Sequence, residues 1–329
     1  MWGQYWALEI EGDSLANMQI VNLAQINAIL STIDLIPPIE AGFQAYSAER
    51  AVVPPVGELL LKKGGVHIKY GYLQDDVHYV VKIASGFYDN PQLGLPSSNG
   101  LMLLFSQRTG ELVSILLDEG VLTDTRTAVA GAIAAKYLAP REVRRIGIVG
   151  TGTQARLQLQ YLMPVTDCRD VLVWGRGQMQ LSRYREVMEP LGFNILTTAD
   201  TAEIQRTCNL IVTTTPADKP LLFEAELRPG THMTAVGSDT AHKQELETAV
   251  LGNSDLVVAD SIAQCLLRGE IHHAIKDGQI RQEKLLELGN IISGKDVGRM
   301  NDEQISVADL TGVAVQDIQI ANAVYSSLS

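Results

Sequence analysis

The sequence predicts an α/β protein built in two different ways along its length. Three observations predict it. From residue 145 onward, short apolar strands alternate with helical stretches, the texture of parallel βαβ units. Between 52 and 117 short β-rich runs are separated by turn residues, which makes an antiparallel or mixed sheet with helices beside it. Between these textures lies a Gly-x-Gly-x-x-Ala turn at 150–155, directly after a strand and before a helix. With 329 residues, 46% hydrophobic and 19% charged, the chain can bury a core in each of about two domains.

The elements follow in order. Residues 18–49 read as one or two helices, with Leu23, Ile26, Leu30 and Ile33 at helical spacing and a break at Pro37-Pro38. Met18 opens this pattern. Residues 1–17 carry Glu9, Glu11 and Asp13 but no Lys or Arg, the opposite of a secretory leader, and read as an extension. Strands are expected at 57–61, 66–70, 77–83, 101–105 and 111–117, with turns or loops at Gly64-Gly65, Asp75-Asp76 and 89–94. Residues 124–138 are Ala-rich and helical, capped by Asp124 or Thr125 and ended by Ala139-Pro140. Apolar strands then fall at 145–150, 171–174, 193–196, 210–213, 232–236 and 256–259. Helices at 154–163, 178–188 and 243–251 lie between several of them. Residues 306–328 have helical spacing and are expected to fold back on the first half, making that domain discontinuous.

Composition narrows the function. There are 26 Lys and Arg against 38 Asp and Glu, a net charge of −12, which disfavours nucleic acid and anionic lipid as partners. Cys168, Cys208 and Cys265 are far apart and form no CxxC pair, so neither a disulfide framework nor a zinc site is expected; a reducing, cytoplasmic setting fits. No apolar run approaches the roughly 18 residues needed to cross a bilayer. The six His are scattered and His272-His273 has no matching cluster, so no metal is expected.

The turn at 150–155 is read as a dinucleotide site comprising Gly150, Thr151, Gly152, Thr153, Gln154 and Ala155. Gly150 permits the tight turn, Gly152 lets backbone approach a diphosphate, and Ala155 lets helix and strand pack closely; the helix N-terminus offers free N–H groups. The next strand ends Trp174-Gly175-Arg176, with no acid for ribose hydroxyls. Arg176 can pair with a 2′-phosphate, so NADP(H) is favoured and NAD(H) is the alternative. Two further strand-end loops, 213–216 with Thr214 and 236–239 with Val236 and Ser238, are expected to face the cofactor. For a substrate carboxylate, Arg126 in the first turn of a helix is a candidate, against simple pairing with Asp124. Lys82 stands between apolar neighbours in a strand, where it is either a functional buried lysine or an outward one. Arg50 has less local support.

Five stretches resemble the ornithine cyclodeaminase/mu-crystallin family: VVKIASGFYDNPQLGLPSSNG at 80–100, LTDTRTAVAGAIAAKYLAP at 122–140, IGIVGTGTQA at 146–155, AVGSDTAHKQE at 235–245 and LTGVAVQD at 310–317. The resemblance implies a Rossmann-type parallel sheet domain over 126–305, and a discontinuous α+β substrate and dimerisation domain over 18–125 and 306–329. It implies a homodimer. It also implies that Arg50, Lys82 and Arg126 hold a substrate carboxylate, with Lys82 a proton or hydrogen-bond donor. Ser97 would lie near the nicotinamide, Glu58 at an acidic position nearby, and Asp239 would handle the amino group. The activity implied is NAD(P)-dependent cyclodeamination of the ornithine-to-proline type, with Asp239 as general base, or as proton donor to an imine were its pKa raised. Alternatives are a ketimine reductase acting on pyrroline-2-carboxylate, an amino-acid dehydrogenase, a protein of ectoine breakdown, and a non-catalytic NADPH binder.

Overall fold

A computed structural model describes residues 18–87 and 89–328. The expected extension at 1–17 lies outside the described residues. The first half forms a mixed sheet. Strand Gln19–Val21 pairs parallel with Leu112–Leu116, and Ser98–Ser106, His78–Gly86 and Gly64–Leu73 continue antiparallel, with Ala51–Val52 and Gly57–Leu61 both on the last strand. The prolines do not break the second helix. Pro37 and Pro38 open Ile36–Ser47, where a missing N–H costs nothing, while Leu23–Leu30 is a separate helix with an Asn22 capping box. The turn expected at Gly64-Gly65 is made by Lys62-Lys63, because Leu61 pairs with Gly64 and both glycines are in the strand.

The second sheet has eight parallel strands in the order Asn194–Thr198, Asp170–Trp174, Ile146–Val149, Leu210–Thr213, His232–Ala235, Ser306–Asp309, Leu256–Ala259, Leu285–Glu287. Its central strands are buried along their whole length, as a parallel sheet covered on both faces requires. Chain order reverses between Ile146–Val149 and Leu210–Thr213, so a crevice opens beyond their carboxyl ends. Two sequence readings are corrected here. Residues 306–309 are not helical but a strand between His232–Ala235 and Leu256–Ala259; the last helix starts only at Ala314. The expected helix at 243–251 is a strand, Gln244–Leu246, followed by the short helix Thr248–Gly252.

The Ala-rich helix Val121–Leu138 joins the two halves. It starts before its expected caps, with Gly120 at the N-cap and Asp118 Oδ2 accepting from the Leu122 N–H at 2.9 Å. It packs against Thr153–Tyr161, Ile36–Ser47 and Ala314–Ser326. Ala128, Ala130, Ala132 and Ala134 are almost wholly buried, and side chains this small let the surrounding helices come close. This close packing fixes the start of the helix beside the nucleotide turn, and because the helix begins at Val121, Arg126 stands in its second turn and not, as the sequence predicts, in the first.

Candidate active site

Gly150 has φ +125°, and a Cβ there would come within 2.5 Å of the Thr214 hydroxyl, so the turn after Ile146–Val149 needs glycine. Gly152 is the N-cap of Thr153–Tyr161, and no side chain bonds to that helix start. A Cβ on Gly152 would meet nothing within 4 Å, so there is open space at this helix start. Ala155 is fully buried against the sheet. These residues fit a dinucleotide diphosphate. Arg156, not singled out from the sequence, reaches back to donate to the Thr151 carbonyl at 3.1 Å, adding positive charge beside the loop.

Two cavities meet at this turn. One, of about 310 Å³, is lined by Gly150, Gly152, Trp174, Arg176 and Thr215. Trp174 Nε1 donates to the Ala199 carbonyl at 3.1 Å, and Arg176 is exposed at the rim. The other, of about 320 Å³, runs from Gly152, Thr153 and Gln154 past Thr214 and Val236 to Ser97, Asp239, Arg126 and Lys69. Gln154 Nε2 donates to the Asp124 carbonyl and carboxylate at 3.0 and 3.1 Å, tying the nucleotide helix to the Arg126 helix.

Beyond the second cavity lies a buried cluster of charge. Asp317 accepts from Lys82 Nζ at 3.0 Å and pairs with Arg126 Nε at 2.9 Å, while Arg126 Nη1 donates to Gln316 Oε1 at 2.9 Å. Lys82 and Arg126 are 2% and 4% exposed, so the inward reading of Lys82 holds. Burial and the Arg126 guanidinium pull the Lys82 ammonium down to about 7, against the upward pull of Asp317. Burial would raise the Asp317 carboxyl, but Arg126, Lys82 and Lys69 outweigh it and hold it below the ordinary range. Lys69, a third buried cation, escaped the sequence reading. It donates to the Thr311 carbonyl at 3.3 Å and to that of Gly312, and burial and Arg126 bring it down to about 8.

The structure does not bring every expected residue to this place. Arg50 is exposed, and its carbonyl accepts from the Gln74 N–H, five residues along the strand from Lys69 and so about 17 Å away. Ser238 is buried and turned inward, donating to the Lys243 carbonyl at 2.6 Å; it shapes its loop without lining the cavity. Lys82 sits behind Arg126, off the cavity wall. Glu58 faces His67 at 3.5 Å in an adjoining chamber of about 340 Å³ that shares Asp239, Asp124 and Lys243. Asp239 pairs with Lys243 at 2.7 Å. Burial would raise its carboxyl, yet Lys243, Lys69 and His67 hold it below 3.8, so the raised pKa needed for a proton donor is not present.

The profile described as the ornithine cyclodeaminase/mu-crystallin family matches residues 17–329. An uncharacterized cyclodeaminase of Sinorhizobium fredii is 39% identical over 94% of this chain and 96% of its own length. The iminosuccinate reductase of Paracoccus denitrificans is 31% identical, covering 93% and 95%. Among solved structures, an archaeal alanine dehydrogenase dimer with bound NAD superposes with a TM-score of 0.86 at 31% identity, covering 94% of this chain and 95% of that one. The Δ(1)-pyrroline-2-carboxylate reductase of Thermococcus litoralis, in complex with NADH and L-proline, gives 0.87 at 27% identity, covering 94% and 97%. Among the described residues no helix is long and apolar enough to cross a membrane.

Proposed function

Because the chain belongs to the ornithine cyclodeaminase/mu-crystallin family, we propose that it is an NAD(P)-dependent enzyme that works at the α-carbon of a small amino or imino acid, and that it acts as an imine reductase. The observation that carries this reading is the single cavity joining Gly152 and Thr153 to Arg126, with an ionised Asp239 on its wall. The nicotinamide supplies the hydride when bound. Arg126 takes the substrate carboxylate through its guanidinium fork, backed by Asp317 and Lys82. The Asp239 carboxylate then lies where it can hold a protonated imine nitrogen, which makes the α-carbon more electrophilic and needs no proton from the enzyme. The Arg126 helix and the nucleotide helix are locked together through Gln154, so the two ends of the site keep one distance.

Reduction is favoured over cyclodeamination by the charges around Asp239. Lys243 pairs with it, and Lys69 lines the same cavity, so the distal ammonium of a diamino acid would meet two cations. An aspartate held below its usual pKa by Lys243 is also a weaker base for an attacking amine. Cyclodeamination is the second reading, supported by the presence of Asp239 itself and by the Sinorhizobium relative. Purified protein should oxidise NADPH steadily with a 2-imino acid such as pyrroline-2-carboxylate and form no proline from ornithine with catalytic NAD⁺. Proline and ammonia from ornithine, without imine reduction, would overturn the reductase reading.

NADPH is the proposed donor, because Arg176 lies at the rim of the cavity below Trp174 and no acid stands at that strand end. Arg176→Ala should raise Kd for NADPH about tenfold or more and leave NADH nearly unchanged, as fluorescence titration would read. Equal losses would refute the cofactor choice. The proposed assembly is a homodimer through the mixed sheet, whose edge strand Gly57–Leu61 leaves Leu60 81% exposed, and the three free thiols suit the cytoplasm.

A further inference from the structure

Resting on the imine-reductase reading, we propose that Lys69 selects the substrate by receiving a second acidic group, so that the pocket takes 2-imino dicarboxylates in preference to monocarboxylates.

The argument starts in the sheet. Antiparallel register sets Lys69 directly opposite Lys82, and both side chains are buried on the same face. Like charges at directly opposed positions weaken a sheet, so folding alone gives no reason for two lysines there. Lys82 has an answering carboxylate in Asp317, which also serves Arg126. Lys69 has none: among the described residues no carboxylate oxygen lies within 4.0 Å of its ammonium. The carboxylates that act on it through space are each engaged elsewhere. Asp317 holds Lys82, Asp239 holds Lys243 at 2.7 Å, and Asp260 accepts from the Thr311 hydroxyl and the Gly312 N–H.

Lys69 and Arg126 converge on one spot. A Cβ on Gly312, which has φ +80°, would lie 2.6 Å from Arg126 Nη1 and 3.1 Å from Lys69 Nζ, so glycine leaves the room that both cations use. Both line the cavity that leads to the nucleotide turn. A single substrate carboxylate fills the fork of Arg126. The Lys69 ammonium has three donors, of which two go to the Thr311 and Gly312 carbonyls. The third remains for a ligand. A second carboxylate, one short side chain away from the first, answers it. On the same face the register sets Met102 opposite Lys82 and His67 opposite Ala84, and the small residues Ala84, Gly86, Gly100 and Ser98 between and beyond them leave space for such a side chain.

The test compares two imines formed in solution, from oxaloacetate with ammonium and from pyruvate with ammonium, under NADPH. The wild type should favour the oxaloacetate imine in kcat/KM by tenfold or more. Lys69→Met, of similar length and without charge, should abolish that preference, a loss of about tenfold or more carried by KM, and Lys69→Arg should restore part of it. Calorimetry on NAD⁺-loaded protein should show L-aspartate bound more tightly than L-alanine in the wild type and equally in Lys69→Met. A wild type with no preference, or equal losses on both substrates in Lys69→Met, would overturn the proposal. If neither imine is reduced, the reductase reading fails and calorimetry still decides the role of Lys69: a Lys69-dependent preference for L-aspartate supports it, and none refutes it.

Discussion

Arg126→Met is expected to lower kcat/KM for imine reduction by about a thousandfold, while dinucleotide affinity changes by less than about twofold. The guanidinium lines the cavity and, unlike Lys69, shares the Asp317 carboxylate of the buried cluster, with Nε on Asp317 and Nη1 on Gln316. Its removal takes away the fork that orients the substrate carboxylate. It does not orphan Asp317, because Lys82 still donates to that carboxylate at 3.0 Å. The loss should therefore appear in turnover and substrate affinity more than in folding. The remaining pair also tightens: without the neighbouring guanidinium, the main electrostatic influence depressing Lys82 disappears and its pKa rises from about 7. Steady-state kinetics beside NADPH fluorescence titration separates the two affinities. Unchanged KM with unchanged kcat would remove Arg126 from the site. A large drop in dinucleotide affinity would instead mean that Arg126 supports the nucleotide turn through Asp124 and Gln154.

The parts of this site that were legible in the sequence are those built locally. Gly150, Gly152 and Ala155 declare themselves because strand, turn and helix are contiguous and each residue type has one geometric reason to be there. The parallel sheet was legible for the same reason, except at its last two strands in chain order, Leu285–Glu287 and Ser306–Asp309. Ser306–Asp309 is four residues long, and only pairing with strands about 50 and 70 residues earlier makes it a strand. Asp317 sat inside a quoted motif without a role, since its partners Lys82 and Arg126 are nearly 200 or more residues away in the chain. Lys69 could have been found. Asp75-Asp76 was recognised as a turn, and Lys69 and Lys82 are placed symmetrically about it, so the hairpin register alone sets them opposite each other. Arg50 is the converse case. Its position before a strand resembles the family pattern, yet that strand joins the sheet far along from Lys69, and register decides where the side chain stands.

Glu245→Gln is expected to change the pH dependence of stability by roughly 3 kcal/mol. The Glu245 carboxylate is fully buried, and it binds together the two loops that line the nucleotide end of the cavity: Oε1 accepts from the Thr215 N–H at 2.6 Å and Oε2 from the Gly237 N–H at 2.9 Å. Burial raises its pKa from 4.5 to about 7, even against those hydrogen bonds. In the unfolded chain the group ionises near 4.5, so between 4.5 and about 7 the folded state holds a proton that the unfolded state has lost. Its contribution to stability is therefore complete below pH 4.5 and disappears as pH rises through 7. Glutamine removes that dependence, and it sets an amide N–H₂ against one of the two backbone N–H groups, a mismatch worth about 1–3 kcal/mol. Urea unfolding should find the variant clearly less stable than the wild type at pH 5 and close to it at pH 8. Glu270 and Asp309, whose carboxyls burial also raises, remain in both proteins, so they largely cancel in the difference. The same loops carry Thr214, Val236 and Asp239, so the variant should also bind the dinucleotide more weakly at pH 5 than the wild type does. A stability difference that stays constant between the two pH values would show that Glu245 is ionised throughout, and that the clamp on the loops is a permanent charge.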